Sequence, residues 1–340
     1  MVKPWLLNYE SYRYVEENGV RLHLNECPWP PPSHVIVEAI QALHKVNLYP
    51  DANMFRKLRE LLGEYNDIDP ENIYPFAGAD NALRALFYNL VEPGDAVEFV
   101  KPTFNMIPIL ASLRGLHSIV VTSYECGEWW CIDVERLIDY ADKAVMVVLV
   151  DPNNPTGSPI LKGDRELLSI LAKKVNGFIV VDETYYEFSG YTLADMVEEY
   201  PNLVIVRSLS KAFCLAGLRL GYIIAHRELV NILSKPYTVF DIPTPTLAAG
   251  IAALENHTYV SGVVAKVIEL REWMYSELRK LGFSVYRSLA NFLLIKDRRN
   301  LKNHMLKHGI VIKSVDENLY RITIGSEDAC REAVRILGEL

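Results

Sequence analysis

Short apolar runs alternate with longer amphipathic stretches between Tyr49 and Phe240. The apolar runs are rich in β-branched residues, which favours strands over buried helices. Strands that alternate with amphipathic helices, such as the predicted helix over 164–174, are typical of a parallel sheet covered by helices on both faces. The predicted strands are 97–100, 119–122, 144–150, 178–182, 203–207 and 221–225.

The pattern changes after Pro243 and Pro245 to one long helical stretch over 246–281. Short strands and helices follow, which predicts a second, smaller α+β domain. Residues 1–48 contain a proline-rich tract and are predicted to form an extended arm that also contributes to the small domain. We therefore divide the chain into the arm at 1–48, a large domain at 49–240 and a small domain at 241–340. The small-domain strands are predicted at 283–286, 292–296, 310–313 and 319–324, with helices at 299–308 and 327–337.

Composition narrows the class of protein. Half of the 340 residues are hydrophobic and 23% are charged, which excludes a disordered or low-complexity chain. The formal net charge is −8, so no overall field attracts nucleic acid or an anionic membrane, and any anion has to be bound locally. The apolar runs are too short to span a bilayer and the N-terminus has no targeting pattern. We expect a soluble cytoplasmic protein.

The five cysteines, Cys27, Cys126, Cys131, Cys214 and Cys330, are odd in number and scattered. This distribution differs from the disulfide framework of a small secreted domain and favours a reducing compartment. The close pair, Cys126 and Cys131, has no second ligand pair at zinc spacing nearby, so two thiols in one loop are favoured over a zinc site.

Polar residues follow three of the predicted strands. Lys211 lies just beyond strand 203–207, Asp182 ends another strand and is followed by Tyr185, and Asn154 lies in a turn after a third strand. In parallel sheets, ligands bind beyond the carboxyl ends of the strands. A lysine at such a position can form a Schiff base when it is desolvated and its pKa is lowered. Taken singly, each residue has an ordinary interpretation as a loop cation, a helix cap or a turn amide.

Together the three elements match the pattern of pyridoxal 5′-phosphate enzymes of the aspartate aminotransferase fold, and the chain most closely resembles the histidinol-phosphate aminotransferase family. The resemblance implies fold type I of these enzymes, an α/β fold with a mainly parallel seven-stranded sheet between helices and a smaller α+β domain. The matching motifs are Leu24-Asn-Glu26, Leu48-Tyr49-Pro-Asp51, Gly78-Ala-Asp80, Pro102-Thr-Phe104, Asn153-Asn-Pro-Thr-Gly157, Val181-Asp-Glu-Thr-Tyr185, Ser208-Leu-Ser-Lys211, Ala216-Gly-Leu-Arg219, Asn291-Phe292 and Tyr320-Arg-Ile-Thr-Ile-Gly325.

The resemblance implies a role for each residue around the cofactor ring. Lys211 would bind the cofactor as a Schiff base and shuttle the proton during transfer. Asp182 would keep the ring nitrogen protonated. Asn154 and Tyr185 would hydrogen-bond the phenolic oxygen of the ring, and Phe104 would stack on its face.

The same resemblance places the cofactor phosphate at the N-terminus of the helix that begins near Asp80, where free amides and the helix dipole favour an anion. Tyr49 would reach the phosphate of a neighbouring subunit, so a homodimer with a shared active site is implied. The Asn154–Pro155 peptide is expected to be cis. The remaining phosphate ligands would be Ala79, Asp80, Ser208, Ser210 and Arg219.

Three residues are implied in substrate binding. Arg321 matches the arginine that binds the carboxylate of 2-oxoglutarate or glutamate, and it would serve the phosphate of histidinol phosphate in the other half-reaction. Lys313 stands where the family usually has a phosphate-binding arginine, so charge is kept and the bidentate fork is lost. Asn25 lies in the arm. Two positions later, Cys27 stands where the family usually has an asparagine.

Other functions stay open at this stage. A threonine-phosphate decarboxylase needs similar cationic groups, and an aminotransferase for aromatic or other amino acids would suit the aromatic-rich arm. A cofactor-binding regulator is disfavoured because the acidic chain has no room for a DNA-binding module. His304 and His308 lie four apart on a predicted helix, but an exposed helix face is favoured over a metal site. No metal is therefore predicted, and no nucleic-acid or membrane partner.

Overall fold

A computed structural model describes residues 18–340. Fourteen strands lie in this part of the chain. In chain order they are β1 (Val20–Leu22), β2 (Ile73–Phe76), β3 (Ala96–Lys101), β4 (His117–Thr122), β5 (Tyr124–Cys126), β6 (Trp129–Cys131), β7 (Met146–Val150), β8 (Phe178–Asp182), β9 (Leu203–Ser208), β10 (Gly221–Ala225), β11 (Ser284–Tyr286), β12 (Phe292–Lys296), β13 (Ile310–Asp316) and β14 (Leu319–Thr323).

Twelve α-helices connect and cover these strands in the described part of the chain. They are α1 (Ser33–Leu43), α2 (Ala52–Asn66), α3 (Ala79–Asn89), α4 (Met106–Arg114), α5 (Val134–Ala141), α6 (Arg165–Lys174), α7 (Tyr186–Ser189), α8 (Arg227–Ser234), α9 (Thr244–Glu255), α10 (Thr258–Lys280), α11 (Leu301–Lys307) and α12 (Glu327–Leu337). Short 3₁₀ helices occur at Pro70–Asn72, Ala194–Met196, Ala216–Leu218 and Val239–Asp241.

The large sheet has seven strands in the order β2-β10-β9-β8-β7-β3-β4. Strand β10 runs antiparallel to both of its neighbours, and the other neighbouring pairs are parallel. The central strands are buried on both faces, as the all-apolar β7 shows. This arrangement follows from uninterrupted Val, Ile and Leu runs, which have no polar face to turn to water. The sheet confirms the predicted α/β class.

The smaller sheet has five strands in the order β1-β13-β14-β12-β11. Its neighbours pair antiparallel, except that β1 pairs with β13 in parallel. Because β1 lies in the N-terminal part of the chain, this part completes a sheet whose other strands come nearly three hundred residues later. Strands β5 and β6 form a separate hairpin.

The observed elements differ from the predicted ones at several places, and strands β1, β5 and β6 are among those not predicted. Strand β2 was not predicted. It contains Pro75 and lies at the sheet edge, where proline is tolerated. The predicted helix over 246–281 is two helices, because Asn256 leaves the helical region at φ −132° and ψ 53°. The predicted extended arm contains helix α1, which packs against α9.

Candidate active site

A cavity of about 390 Å³ lies beyond the carboxyl ends of β7, β8 and β9 and is closed on the other side by the smaller sheet and residues 23–26. It contains every site residue predicted from the sequence except Tyr49. Those lining residues are Asn25, Ala79, Asp80, Phe104, Asn154, Asp182, Tyr185, Ser208, Ser210, Lys211, Arg219, Lys313 and Arg321.

Lys211 follows β9 by three residues and extends into the cavity. Its Nζ donates a hydrogen bond to the carbonyl oxygen of Leu24 at 3.1 Å. Burial, and then the positive charge of Arg321, lower the pKa of this amine to about 8. Near pH 7 roughly a tenth of Lys211 is thus the neutral amine, far more than at the ordinary lysine pKa of 10.5, and a nucleophile requires this neutral form.

Asp182 is the last residue of β8 and is buried. Its Oδ1 accepts hydrogen bonds from the backbone amide of Thr184 at 3.0 Å and from the Thr184 hydroxyl at 2.5 Å. Burial raises the pKa of this carboxyl group to about 6, and the Thr184 hydrogen bonds oppose the rise. A cationic ring nitrogen would favour the ionised carboxylate further.

Tyr185 is held by two amides. Its hydroxyl accepts from Asn25 Nδ2 at 2.9 Å and from Asn154 Nδ2 at 3.4 Å. Burial raises the pKa of Tyr185 to about 12, so the hydroxyl keeps its proton and is able to donate it in a hydrogen bond. The peptide between Asn154 and Pro155 is cis, which confirms that prediction.

The N-terminus of α3 forms a cup whose groups suit an anion. The first-turn amides of Ala79 and Asp80 have no partner within the helix, and Ser208, Ser210 and Arg219 lie around them. Gly78, which caps this helix, has φ +93°, and a Cβ there would lie 2.6 Å from Arg219 Nη2. Glycine at this position therefore lets the guanidinium approach the helix end, where Arg219 Nη2 lies 3.2 Å from Asp80 Oδ2.

Two cations enter the cavity from the smaller sheet. Lys313 and Arg321 are directly opposed on β13 and β14, so their side chains project from the same face. Arg321 Nη1 donates to Asn154 Oδ1 at 2.5 Å, and Nη2 donates to the carbonyl oxygen of His23 at 2.5 Å. These bonds fix the guanidinium at the wall of the cavity that also contains the cup at α3.

Several supporting residues were not identified from the sequence. Thr184 orients Asp182, and the Leu24 carbonyl accepts from Lys211. A buried ion pair between Arg207 and Glu183, 2.6 Å apart, ties the ends of β8 and β9 together. Glu183 directly follows Asp182 and Arg207 directly precedes Ser208, so adjacency to predicted site residues was the available signal.

The expectation of free thiols was wrong. Cys27 forms a disulfide with Cys214, with Cα atoms 5.0 Å apart, and Cys126 forms one with Cys131, with Cα atoms 5.8 Å apart. Cys330 is a free buried thiol. Cys27 and Cys214 are separated by 187 residues, so the fold brings them together and sequence spacing gives no sign of it. The Cys126–Cys131 pair is likewise a disulfide within the β5–β6 hairpin and not two loop thiols.

Tyr49 lies outside the cavity. Its side chain is 83% exposed, and its ring centroid is 5.0 Å from that of Phe240. The predicted role of Tyr49 in a neighbouring subunit stays a prediction. Among residues 18–340, no helix combines the length and apolar character that crossing a bilayer requires.

The chain is similar to known proteins over nearly its whole length. Residues 17–337 match the family model for aminotransferases of class I and II. The histidinol-phosphate aminotransferase of Sulfurisphaera tokodaii is 46% identical over 100% of this chain and 96% of its own length. That of Thermococcus gammatolerans is 35% identical over 98% of this chain and 96% of its own length. The crystal structure of a histidinol-phosphate aminotransferase from Sinorhizobium meliloti in complex with pyridoxal 5′-phosphate superimposes with a TM-score of 0.87. It covers 99% of this chain and 96% of that chain at 22% identity, and it supports the fold.

Proposed function

The chain belongs to the class I and II aminotransferases, and we propose that it transfers the amino group of histidinol phosphate to 2-oxoglutarate in histidine biosynthesis. The observation that carries this substrate assignment is the full-length match to the Sulfurisphaera tokodaii histidinol-phosphate aminotransferase. Pyridoxal 5′-phosphate is the cofactor of this family. When bound, it supplies an aldehyde that takes up the amino group and a protonated ring that accepts the electron pair released at the substrate carbon.

The side chains of the cavity fit this cofactor. The cup at α3 offers amides, two hydroxyl groups and Arg219 to a phosphate. The carboxylate of Asp182 suits a protonated ring nitrogen, the hydroxyl of Tyr185 suits a phenolic oxygen, and the phenyl ring of Phe104 offers a face for stacking. Arg219 thus offers a cation to the phosphate, Asp182 an anion to the ring nitrogen, and Tyr185 a neutral hydroxyl group to the phenolic oxygen.

Lys211 carries out the proton transfers. With the cofactor bound, Lys211 Nζ would hold its aldehyde carbon, and as the free amine the same nitrogen would take up and give back the proton that leaves the substrate carbon. A pKa of about 8 suits both directions of transfer near neutral pH. Asp182 meanwhile holds the proton on the ring nitrogen, which keeps the ring an electron acceptor.

Arg321 and Lys313 bind the substrates. Histidinol phosphate has a phosphate and no carboxylate, whereas glutamate and 2-oxoglutarate have carboxylates. The same cations therefore have to serve a phosphate in one half-reaction and a carboxylate in the other. The planar fork of Arg321 binds either anion through two parallel hydrogen bonds, and Lys313 adds a point charge beside it.

We propose a homodimer with a shared active site. The support is an exposed apolar surface on α1 and the segment after it, because monomeric proteins rarely leave such a surface in water. Tyr49 lies within this surface, which suits its predicted contact with the phosphate of the partner. The exposed apolar residues are Ile36, Val37, Ile40, Leu43, Val46, Leu48, Tyr49 and Phe240.

Analytical ultracentrifugation tests the dimer. We expect the native protein to sediment as a dimer and Leu43→Glu to shift it towards monomer, while Ile170→Glu, a matched exposed position on α6, leaves it dimeric. A native protein that sediments as a monomer with full activity contradicts the proposal.

We also propose a cytoplasmic location, because the proposed reaction is biosynthetic and its substrates are small soluble metabolites.

Steady-state kinetics test the reaction. With 2-oxoglutarate as acceptor, we expect kcat/KM for histidinol phosphate to exceed that for phenylalanine, tyrosine and aspartate. Release of carbon dioxide from threonine phosphate without any 2-oxoacid would instead identify a decarboxylase. A higher kcat/KM for phenylalanine or tyrosine would identify an aromatic aminotransferase.

A further inference from the structure

The segment Leu24 to Cys27 is joined at two points to the loop that carries Lys211. At the first point, Lys211 Nζ donates to the Leu24 carbonyl oxygen at 3.1 Å. At the second, Cys27 and Cys214 form a disulfide. Two residues lie between the two points on either segment, so the hydrogen bond and the disulfide close a small ring at the mouth of the cavity.

Asn25, inside this ring, connects both halves of the cavity. Its Nδ2 donates to the hydroxyl of Tyr185 at 2.9 Å. On the side of the smaller sheet, its backbone amide donates to Thr323 Oγ1 at 2.9 Å, and its carbonyl oxygen accepts from Asn291 Nδ2 at 3.1 Å. A displacement of this segment would therefore move a group that orients Tyr185.

We propose that Cys27 and Cys214 are positioning residues, whose disulfide holds the segment Leu24 to Cys27 against the cofactor pocket. This inference rests on the proposed function, because it assigns the segment to cofactor retention and substrate binding. When Lys211 Nζ is engaged by the cofactor, its hydrogen bond to Leu24 is no longer available. The disulfide is then the covalent tie that keeps Asn25 in place.

The bond is open to chemical exchange. Both cysteines are half-buried and line a second cleft, together with Ser326 and Ala329. Formation of the disulfide removes one hydrogen from each thiol. The two electrons and two protons pass to a disulfide-containing oxidant, protein or small molecule, which leaves as two thiols.

The first measurement is mass spectrometry of peptides from the unreduced protein, which detects the disulfide independently of any activity. We expect a Cys27–Cys214 linked peptide that is lighter by two hydrogens than the sum of its reduced parts. Free thiols at both positions in freshly purified protein would overturn the proposal whatever the enzyme does.

The second measurement is the rate of cofactor release from the holoenzyme, followed by absorbance. The variant is Cys27→Ser with Cys214→Ser, and the matched control is Cys126→Ser with Cys131→Ser, which removes the disulfide of the β5–β6 hairpin. We expect release and KM to rise roughly tenfold in the first variant, an effect comparable to the loss of one hydrogen bond, with kcat changed less. The control is expected to match the native protein.

Treatment with a water-soluble phosphine covers the case in which the serine variant fails to fold. The phosphine takes the oxygen of a water molecule while the two sulfurs take its hydrogens, so no thiol is added that could react with the cofactor aldehyde. In the Cys126→Ser, Cys131→Ser protein, the phosphine reduces the Cys27–Cys214 disulfide. This reduction should raise the rate of cofactor release as much as the Cys27→Ser, Cys214→Ser substitutions do. Unchanged release and KM after complete reduction, or in the folded serine variant, contradict the proposal. A native protein that binds no cofactor would refute the proposed function while leaving the mapped disulfide standing.

Discussion

The cofactor half and the substrate half of the cavity are built in different ways. The cofactor half consists of residues that end or directly follow strands of the large sheet, such as Asp182 on β8 and Ser208 on β9, together with the first turn of α3. The substrate half combines residues 23–27 with Lys313 and Arg321 of the smaller sheet. The parallel strands of the first half deliver its residues to one edge, whereas the second half requires contacts between parts of the chain almost three hundred residues apart.

The two halves are also stabilised in different ways. Asp182 and Thr184 are close in sequence, so their hydrogen bond forms with the local turn. Asn25 and Thr323 form hydrogen bonds across 298 positions, and the entropy of closing such a loop opposes them. A covalent link between Cys27 and Cys214 opposes the opening of the distant half. We therefore expect changes in the cofactor half to abolish chemistry and changes in the substrate half to weaken binding.

The largest effect is expected from Lys211→Ala. Removing the nucleophile and proton carrier should lower kcat by roughly 10⁴-fold, measured as glutamate formed from 2-oxoglutarate and histidinol phosphate. Lys173→Ala, at an exposed lysine on α6, is the control and should retain native kcat. A Lys211→Ala protein with kcat within tenfold of the native value would remove Lys211 from the chemistry.

A smaller effect, on binding, is expected from Arg321→Lys. The substitution keeps the charge and removes the fork, so KM for both histidinol phosphate and 2-oxoglutarate should rise roughly 10- to 100-fold. The fall in kcat should be smaller. Arg331→Lys, an exposed arginine on α12, is the control. A rise in KM for only one of the two substrates would contradict the dual role of Arg321.

The smallest effect is expected on the pKa of Lys211 in the cofactor half, which burial and then the charge of Arg321 in the substrate half lower. Burial and Arg321 disfavour protonated Lys211, so in the cofactor-free protein half of this amine should be neutral at about pH 8. The pH dependence of Lys211 modification by an amine reagent, followed by peptide mass spectrometry, measures this midpoint. Arg321→Gln should move the midpoint to higher pH, whereas Arg321→Lys should leave it close to the native value. Equal midpoints in both variants would show that the substrate half does not influence Lys211.

The lowered pKa of Lys211 also makes the free energy of unfolding depend on pH. The unfolded chain keeps the Lys211 proton up to its ordinary pKa of 10.5, whereas the folded chain loses it near 8. Between these values the unfolded state binds more protons, so this group makes the free energy of unfolding of the cofactor-free protein rise with pH. The contribution is lost as the pH falls through 8.

The sequence was enough to bring the residues of the cofactor half to one edge of the sheet, because its signals are local. An apolar run that ends in Asp182, and a lysine three residues beyond β9, mark strand ends without knowledge of the rest of the fold. Lys313 and Arg321 were assigned from the family resemblance alone. Their opposition on β13 and β14 depends on strand register, which only the structure gives.

The Cys27–Cys214 disulfide and the division of the long helix could not be predicted for a related reason. A contact between Cys27 and Cys214 depends on the path of the whole intervening chain. The break at Asn256 depends on one residue leaving the helical region within a continuous apolar pattern, where His257 Nδ1 bonds the Leu254 carbonyl oxygen at 2.8 Å. Periodicity predicts where helices exist more reliably than where one helix becomes two.

The proposed reaction is tested by an absorbance titration of the purified holoenzyme with histidinol phosphate, glutamate and threonine phosphate in turn, without any 2-oxoacid. We expect histidinol phosphate and glutamate each to convert the lysine-bound aldehyde form of the cofactor to its amine form, with one equivalent of oxo product per active site. Absence of a cofactor band after pyridoxal 5′-phosphate is supplied would contradict the catalytic assignment of the cavity. A cofactor band that histidinol phosphate leaves unchanged would contradict the substrate assignment.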